Sequence, residues 1–142
     1  MIQPHDEALE ATQSMVITIT ILNSSSAALT LADGELTAGE WRGQPPVPGT
    51  TLSAGATIFV NASQSSFGGA GGYITLTPAG GGSVSMSWSW TPGQALMAFG
   101  NLAGTSALVL SYTVTGVSTF NPTVTYVITD PGGFGEPAGD RP

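Results

Sequence analysis

The sequence predicts an all-β protein, an antiparallel two-sheet β-sandwich of about seven or eight strands. Three observations carry this. Ser83–Trp90 reads S-V-S-M-S-W-S-W, serine alternating with a large apolar residue throughout. Side chains along a strand point alternately to opposite faces, so Val84, Met86, Trp88 and Trp90 share one face and the serines the other. A helical period of about 3.6 would scatter both sets around the axis. Similar alternation recurs in Met15–Asn23, Tyr73–Pro78, Ala107–Thr115 and Thr123–Thr129. Finally, with shorter strands at Ala28–Ala32, Thr51-Leu52 and Ala56–Ala62 between them, the strands follow at short spacings with no helical segment among them.

The elements follow in order. Residues 1–14 are acidic, through Asp6, Glu7 and Glu10, and are expected to form a flexible leader. The domain proper is expected over 15–130. In Met15–Asn23, Met15, Ile17, Ile19 and Ile21 face the core, and Val16, Thr18 and Thr20 face outward. Asn23–Ser26 reads as a polar turn, with Ala28–Ala32 pairing back on the first strand as a hairpin, and Asp33-Gly34 as a further turn. Thr37–Pro48, T-A-G-E-W-R-G-Q-P-P-V-P, is a loop stiffened by Pro45, Pro46 and Pro48. Thr51-Leu52 is a short strand, and Ala56–Ala62 a longer one with Ile58 and Val60 opposite Phe59.

Ser63–Gly72 is a glycine-rich loop that carries Phe67. Tyr73–Pro78 and Ser83–Trp90 are strands joined by a turn at Ala79–Gly82. Trp88 should be buried between sheets, with Trp90, near the strand end, a candidate for a partly exposed contact. Thr91–Gly104 reads as irregular, leaving Leu96–Phe99 as exposed apolar residues. Gly116–Pro122 joins the last two strands as a hairpin loop, and residues 131–142 form a Gly/Pro-rich tail that is disordered by composition.

Charge narrows the function. A chain of 142 residues with net charge −7 has nine acids against two arginines and no lysine. From Gly43 to Thr129 it contains no Asp, Glu, Lys, Arg or His. Nucleic acid is therefore excluded as a partner, because phosphate backbones demand cations. Electrostatic docking to an anionic bilayer is disfavoured for the same reason. Without cysteine there is no disulfide or thiolate chemistry. No apolar run reaches the length of a membrane-spanning helix. The first residues lack the basic start and apolar core of a signal peptide, so cytoplasmic synthesis is expected, with any action at a target-cell membrane following release.

Catalysis is not expected. The sole histidine, His5, lies in the leader, so no Ser-His-Asp arrangement forms within the domain. Asp33 and Glu35 sit at an expected turn, where carboxylates are ordinarily solvated. No cofactor is expected, and no His/Cys cluster or acidic cage suggests a metal. The glycines of Gly68–Gly72 precede a strand, so they lack the helix N-terminus of a phosphate cradle.

Trp41-Arg42 is the strongest binding candidate. An indole suits the headgroup zone of a bilayer, and a guanidinium grips phosphate through two donors. This reading expects Trp41 to be exposed. The alternative is that Trp41 plugs one end of the sandwich and Arg42 pairs with Glu40 or Glu35. Phe67, Trp90 and Leu96–Phe99 are lesser candidates. A second functional class is a structural or assembly protein: edge strands are usually guarded by charge, and these long strands carry none, so homo-oligomers are compatible with both classes. A glycan-binding module using the tryptophans as platforms is a third.

The motif order carries a family resemblance. An N-terminal I-T-I-L-N-S-S-S-A-A-L-T-L precedes G-E-W-R-G-Q-P-P, then G-A-T-I-F-V, F-G-G-A-G-G-Y-I-T-L, S-M-S-W-S-W-T-P-G and a closing V-T-Y-V-I-T. Over about Met15–Asp130 this resembles the aegerolysin family, in particular its bacterial branch containing the small component of binary insecticidal toxins. The resemblance implies a small acidic β-sandwich that recognises a membrane lipid, often a sphingolipid. It further implies a larger pore-forming protein partner, as in a two-component insecticidal or haemolytic toxin. The family's tryptophan-bearing loop maps onto Gly39-Glu40-Trp41-Arg42 and its glycine-rich loop onto Phe67–Gly72, so the expected lipid-binding residues are Trp41, Arg42, Glu40, Phe67 and Trp90. The chain departs from the family at Trp90-Thr91-Pro92-Gly93, which lacks the acidic residue and trailing aromatic common around that proline.

Overall fold

The structure, a computed structural model, describes residues 15–64, 68–105, 108–117 and 119–131. The expected leader, and all of the expected tail beyond Pro131, lie outside the described residues. The described residues form ten strands: β1 (Val16–Ser24), β2 (Leu29–Ala38), β3 (Glu40–Trp41), β4 (Thr51–Leu52), β5 (Gly55–Ala62), β6 (Ala70–Pro78), β7 (Ser83–Trp90), β8 (Met97–Ala103), β9 (Val109–Thr115) and β10 (Thr123–Thr129). They form two five-stranded sheets, ordered β3-β5-β1-β10-β9 and β4-β2-β6-β7-β8. The sandwich expected from alternation is the one observed.

The inward rows are those the sequence pattern marks. Ile17, Ile19 and Ile21 of β1 and Val124, Tyr126 and Ile128 of β10 line one sheet, facing Ile74 and Leu76 of β6 and Val84, Met86 and Trp88 of β7. Trp88 is 1% exposed, in keeping with its place on the inward face. The Tyr126 hydroxyl donates to the Ser87 carbonyl and so ties the two sheets together. Burial, and secondarily the neighbouring Tyr112, push the Tyr126 phenol above its ordinary pKa.

Connectivity departs from expectation in four places. First, β1 and β2 do not form a hairpin. Asn23, at the end of β1, is buried; its Oδ1 accepts from Ser25 N–H at 3.0 Å, and its Nδ2 donates to the carbonyls of Ala27 at 2.9 Å and Leu52 at 3.1 Å. This amide satisfies the backbone where the chain crosses from one sheet to the other. Second, β1 takes β10 as a parallel neighbour, Thr18 opposite Thr123 through Ser24 opposite Thr129, so the first sheet is mixed. A parallel pair needs a long crossover, and the whole excursion through the second sheet supplies it.

Third, Asp33-Gly34 is not a turn but lies inside β2, just past an irregularity between Leu31 and Asp33. A Cβ on Gly34 would stand 2.9 Å from Pro46 and 3.4 Å from Ile74, so the glycine lets the proline-rich loop close on the core. Fourth, Leu96–Phe99 is not wholly irregular: Leu96 is buried, and Met97 opens β8, paired with β7 from Ser89–Met97 to Ser83–Ala103.

The two flanks of the sandwich are unlike. One is bounded by β3 and β4, two residues each, with the proline-rich loop between them in sequence. The other is bounded by β8 and β9, seven residues each. There Gly100 makes room for its neighbour, since a Cβ would lie 2.7 Å from Leu110 Cδ2 and 3.1 Å from the Tyr112 ring.

Candidate functional site

The corner carrying Trp41 is built around a buried amide. The chain leaves β2 and enters β3 through Gly39, whose φ of 83° is one that L side chains rarely adopt. A Cβ there would also fall 2.5 Å from the Ala62 carbonyl oxygen. Asn61, on the inward parity of β5 beside Phe59, accepts from Trp88 Nε1–H at 2.9 Å. Its Nδ2 donates to the carbonyls of Ala38 and Glu40, each at 3.3 Å. The central tryptophan therefore fixes Asn61, and Asn61 holds the corner on either side of Gly39.

Trp41 is not the exposed indole the sequence suggested. It is half-buried, with its ring centroid 6.0 Å from that of Phe59 and 6.1 Å from that of Trp88. The reason is pairing: Trp41 stands opposite Asn61 on β5, which turns the ring onto the core instead of into solvent. Arg42 is exposed; its backbone N–H donates to the Val60 carbonyl at 2.8 Å, and its guanidinium lies 3.9 Å from the Glu40 carboxylate. Both side chains are about half exposed (53% and 51%), so this is a loose, solvent-screened pair that a ligand can displace at little cost.

Trp90 is half-buried at the end of β7. It pairs with Ala70, and a Cβ on Gly69 would touch its carbonyl oxygen at 2.8 Å and Ala38 Cβ at 3.8 Å. The fold thus brings Trp90 and the Gly68–Gly72 stretch to the corner that carries Glu40, Trp41 and Arg42. Those glycines serve packing: β6 already begins at Ala70, and a Cβ on Gly72 would stand 3.0 Å from the Trp88 ring. Phe67 lies outside the described residues.

Below Arg42 the proline-rich loop runs along the flank and is pinned to β2, Gly49 N–H donating to Leu31 O at 2.8 Å and Leu31 N–H to Thr50 O at 2.7 Å. Pro46 is buried, while Val47 and Ile58 are exposed by 49% and 58%. Loop, β4 and β5 enclose a slot of about 350 Å³, with Pro45, Val47 and Ile58 at its rim and the core residues Leu31, Leu52 and Phe59 beneath. The slot was not found from sequence, although an isoleucine on the outward parity of β5 was a signal. Among the described residues, no group of three or more potential ligands stands ready for a metal ion.

No protein-family model matches the chain, and no curated protein matches it in sequence. Solved structures do. The lipid-binding protein Nakanori aligns with a TM-score of 0.62 at 11% identity, over 87% of this chain and 75% of its own. IP-1A from Alcaligenes faecalis aligns with a TM-score of 0.65 at 10% identity, over 87% of this chain and 96% of its own. The fold is shared. At these identities the likeness is one of architecture.

Proposed function

We propose that this protein is a non-enzymatic lipid-binding module of the aegerolysin type that engages a membrane through the flank between β3 and β4. The slot carries this reading. Six of its lining residues are apolar, with Gln44 and three threonines among them; it opens to solvent between Val47 and Ile58 and reaches the core, which suits a hydrocarbon chain with a polar end. Arg42, exposed at the start of the loop that walls it, is the residue we assign to a headgroup phosphate, because a guanidinium offers two donors to one. Kinship in fold with a protein described as lipid-binding supports the same reading. Because Trp41 is wedged against Phe59 and Trp88, its part is to hold the corner and to offer only its exposed edge to the interface.

The finer proposal, resting on the motif resemblance, is recognition of a sphingolipid and action with a larger pore-forming partner. A second reading, self-association, is favoured by one observation: β8 and β9 present two seven-residue edges without a charged residue.

Co-sedimentation with vesicles of phosphatidylcholine, phosphatidylethanolamine, phosphatidylserine or sphingomyelin with cholesterol tests the proposal. Binding to one class is expected, with the lipid recovered chemically intact, and Ile58→Glu should abolish it. No binding to any class, or binding untouched by Ile58→Glu, defeats the lipid reading. A concentration-dependent rise in mass without lipid would turn attention to the second.

A further inference from the structure

The outward face of the second sheet carries a groove of about 320 Å³ that is separate from the flank slot. Strand register builds it in two rows. Tyr73 on β6 stands opposite Ser87 on β7, which stands opposite Phe99 on β8; one pleat along, Thr75 faces Ser85 and Ser85 faces Asn101. All six line the groove.

Adjacent strands lie roughly 4.8 Å apart, so the two aromatic residues, with one strand between them, stand roughly 10 Å apart across a single serine. That leaves room for one saturated ring between a tyrosine and a phenylalanine that is 51% exposed. The second row supplies two hydroxyls and a carboxamide. The Tyr73 hydroxyl donates its only proton to Asp33 Oδ2 at 3.2 Å, which leaves its oxygen as an acceptor for a ligand hydroxyl. Strands β2, β6, β7 and β8 contain no Lys or Arg, so this face accepts hydroxyl donors and repels anions.

We propose that this groove is a saccharide site, taking one neutral pyranose ring between Tyr73 and Phe99 with its hydroxyls on Thr75, Ser85, Asn101 and the Tyr73 oxygen. A pyranose offers what the groove asks for: apolar C–H faces for the aromatic pair and a girdle of hydroxyls for the second row. The inference goes beyond the lipid reading and does not rest on it. The sugar belongs either to a free glycan or to a glycolipid headgroup.

Two formats separate those sources. The full chain is applied to an array of neutral oligosaccharides ending in glucose, galactose, mannose or N-acetylglucosamine, printed beside sialylated and sulfated counterparts. It is also floated with phosphatidylcholine vesicles with and without lactosylceramide. Retention of a neutral glycan but not its acidic counterpart, or flotation that requires lactosylceramide, is expected. Phe99→Ala should weaken binding about tenfold, the scale of one lost aromatic contact, with the melting temperature unchanged. Asn101→Ala, an exposed polar change, gives the same direction if Phe99→Ala fails to fold. Ile58→Glu, which removes lipid binding at the flank, should leave array binding intact. The site is refuted if no neutral glycan is captured in either format, if acidic glycans bind equally well, or if folded variants of the groove bind as the parent does.

Discussion

The two flanks of the sandwich solve the same geometric problem in opposite ways. Where β8 and β9 end the sheets, each edge is seven residues long, and the gap between sheets is filled by Leu110 and Tyr112 leaning over Gly100. Where β3 and β4 end them, each edge is two residues long, a proline-stiffened loop takes over, and a slot of about 350 Å³ reaches Leu31, Leu52 and Phe59. The closed flank fills the gap between its sheets, though Met97, Phe99 and Tyr112 stay exposed on its strands, and leaves long uncharged edges. The open flank shortens its edges and leaves apolar surface for something else to cover. A buried hydrocarbon needs a gap that the fold leaves unfilled, so lipid binding belongs on the open side, while the gap between sheets on the closed side is taken up by packing.

The largest test of that contrast acts through the residue that anchors the open flank. Trp88→Ala should cost roughly 3–5 kcal/mol, through lost transfer energy and a cavity. It also deprives Asn61 Oδ1 of its donor and so loosens the corner that carries Arg42. Chemical unfolding measures the loss; a midpoint close to that of the parent would mean the tryptophan is not the keystone described. A smaller effect separates the flanks directly. Gly100→Val must drive a side chain into Leu110 and Tyr112 and should cost about 1–3 kcal/mol. Val47→Ala on the open rim, where the side chain is half exposed, should change stability by less than about 0.5 kcal/mol. Equal losses at the two positions would erase the distinction between a packed and an unfilled flank.

Much of the fold was legible because period two is a strong signal. The inward rows of β1, β7 and β10 follow from alternation alone. Pairing was not legible. Alternation fixes which side chains face inward but not which strand lies alongside, so the turn at Asn23 read as a hairpin when the chain in fact changes sheet there. Both buried asparagines carried a clue: Asn23 shares parity with Ile17, Ile19 and Ile21, and Asn61 with Phe59, and a polar group on an inward row must find partners. At the site, sequence located the Gly39–Arg42 corner but misjudged Trp41, because its burial depends on β5 supplying an antiparallel partner from twenty residues downstream. The slot was invisible for a related reason: its loop, β4 and β5 follow one another in sequence, but they enclose a space only because β4 pairs with β2 and β5 with β1, on different sheets.

Whether the open flank is where lipid binds is read by amide chemical-shift mapping with short-chain phosphatidylcholine, phosphatidylethanolamine, phosphatidylserine and sphingomyelin, each added below its micelle-forming concentration. With the lipid that binds, perturbations are expected only in Arg42–Leu52 and Thr57–Phe59, with Gly100, Leu110 and Tyr112 unmoved. Arg42→Ala should weaken the response while leaving the melting temperature as it was, because its pair with Glu40 is loose and exposed. Perturbations centred on the β8–β9 flank, or a spectrum silent towards all four lipids, would overturn the assignment of lipid to the open flank.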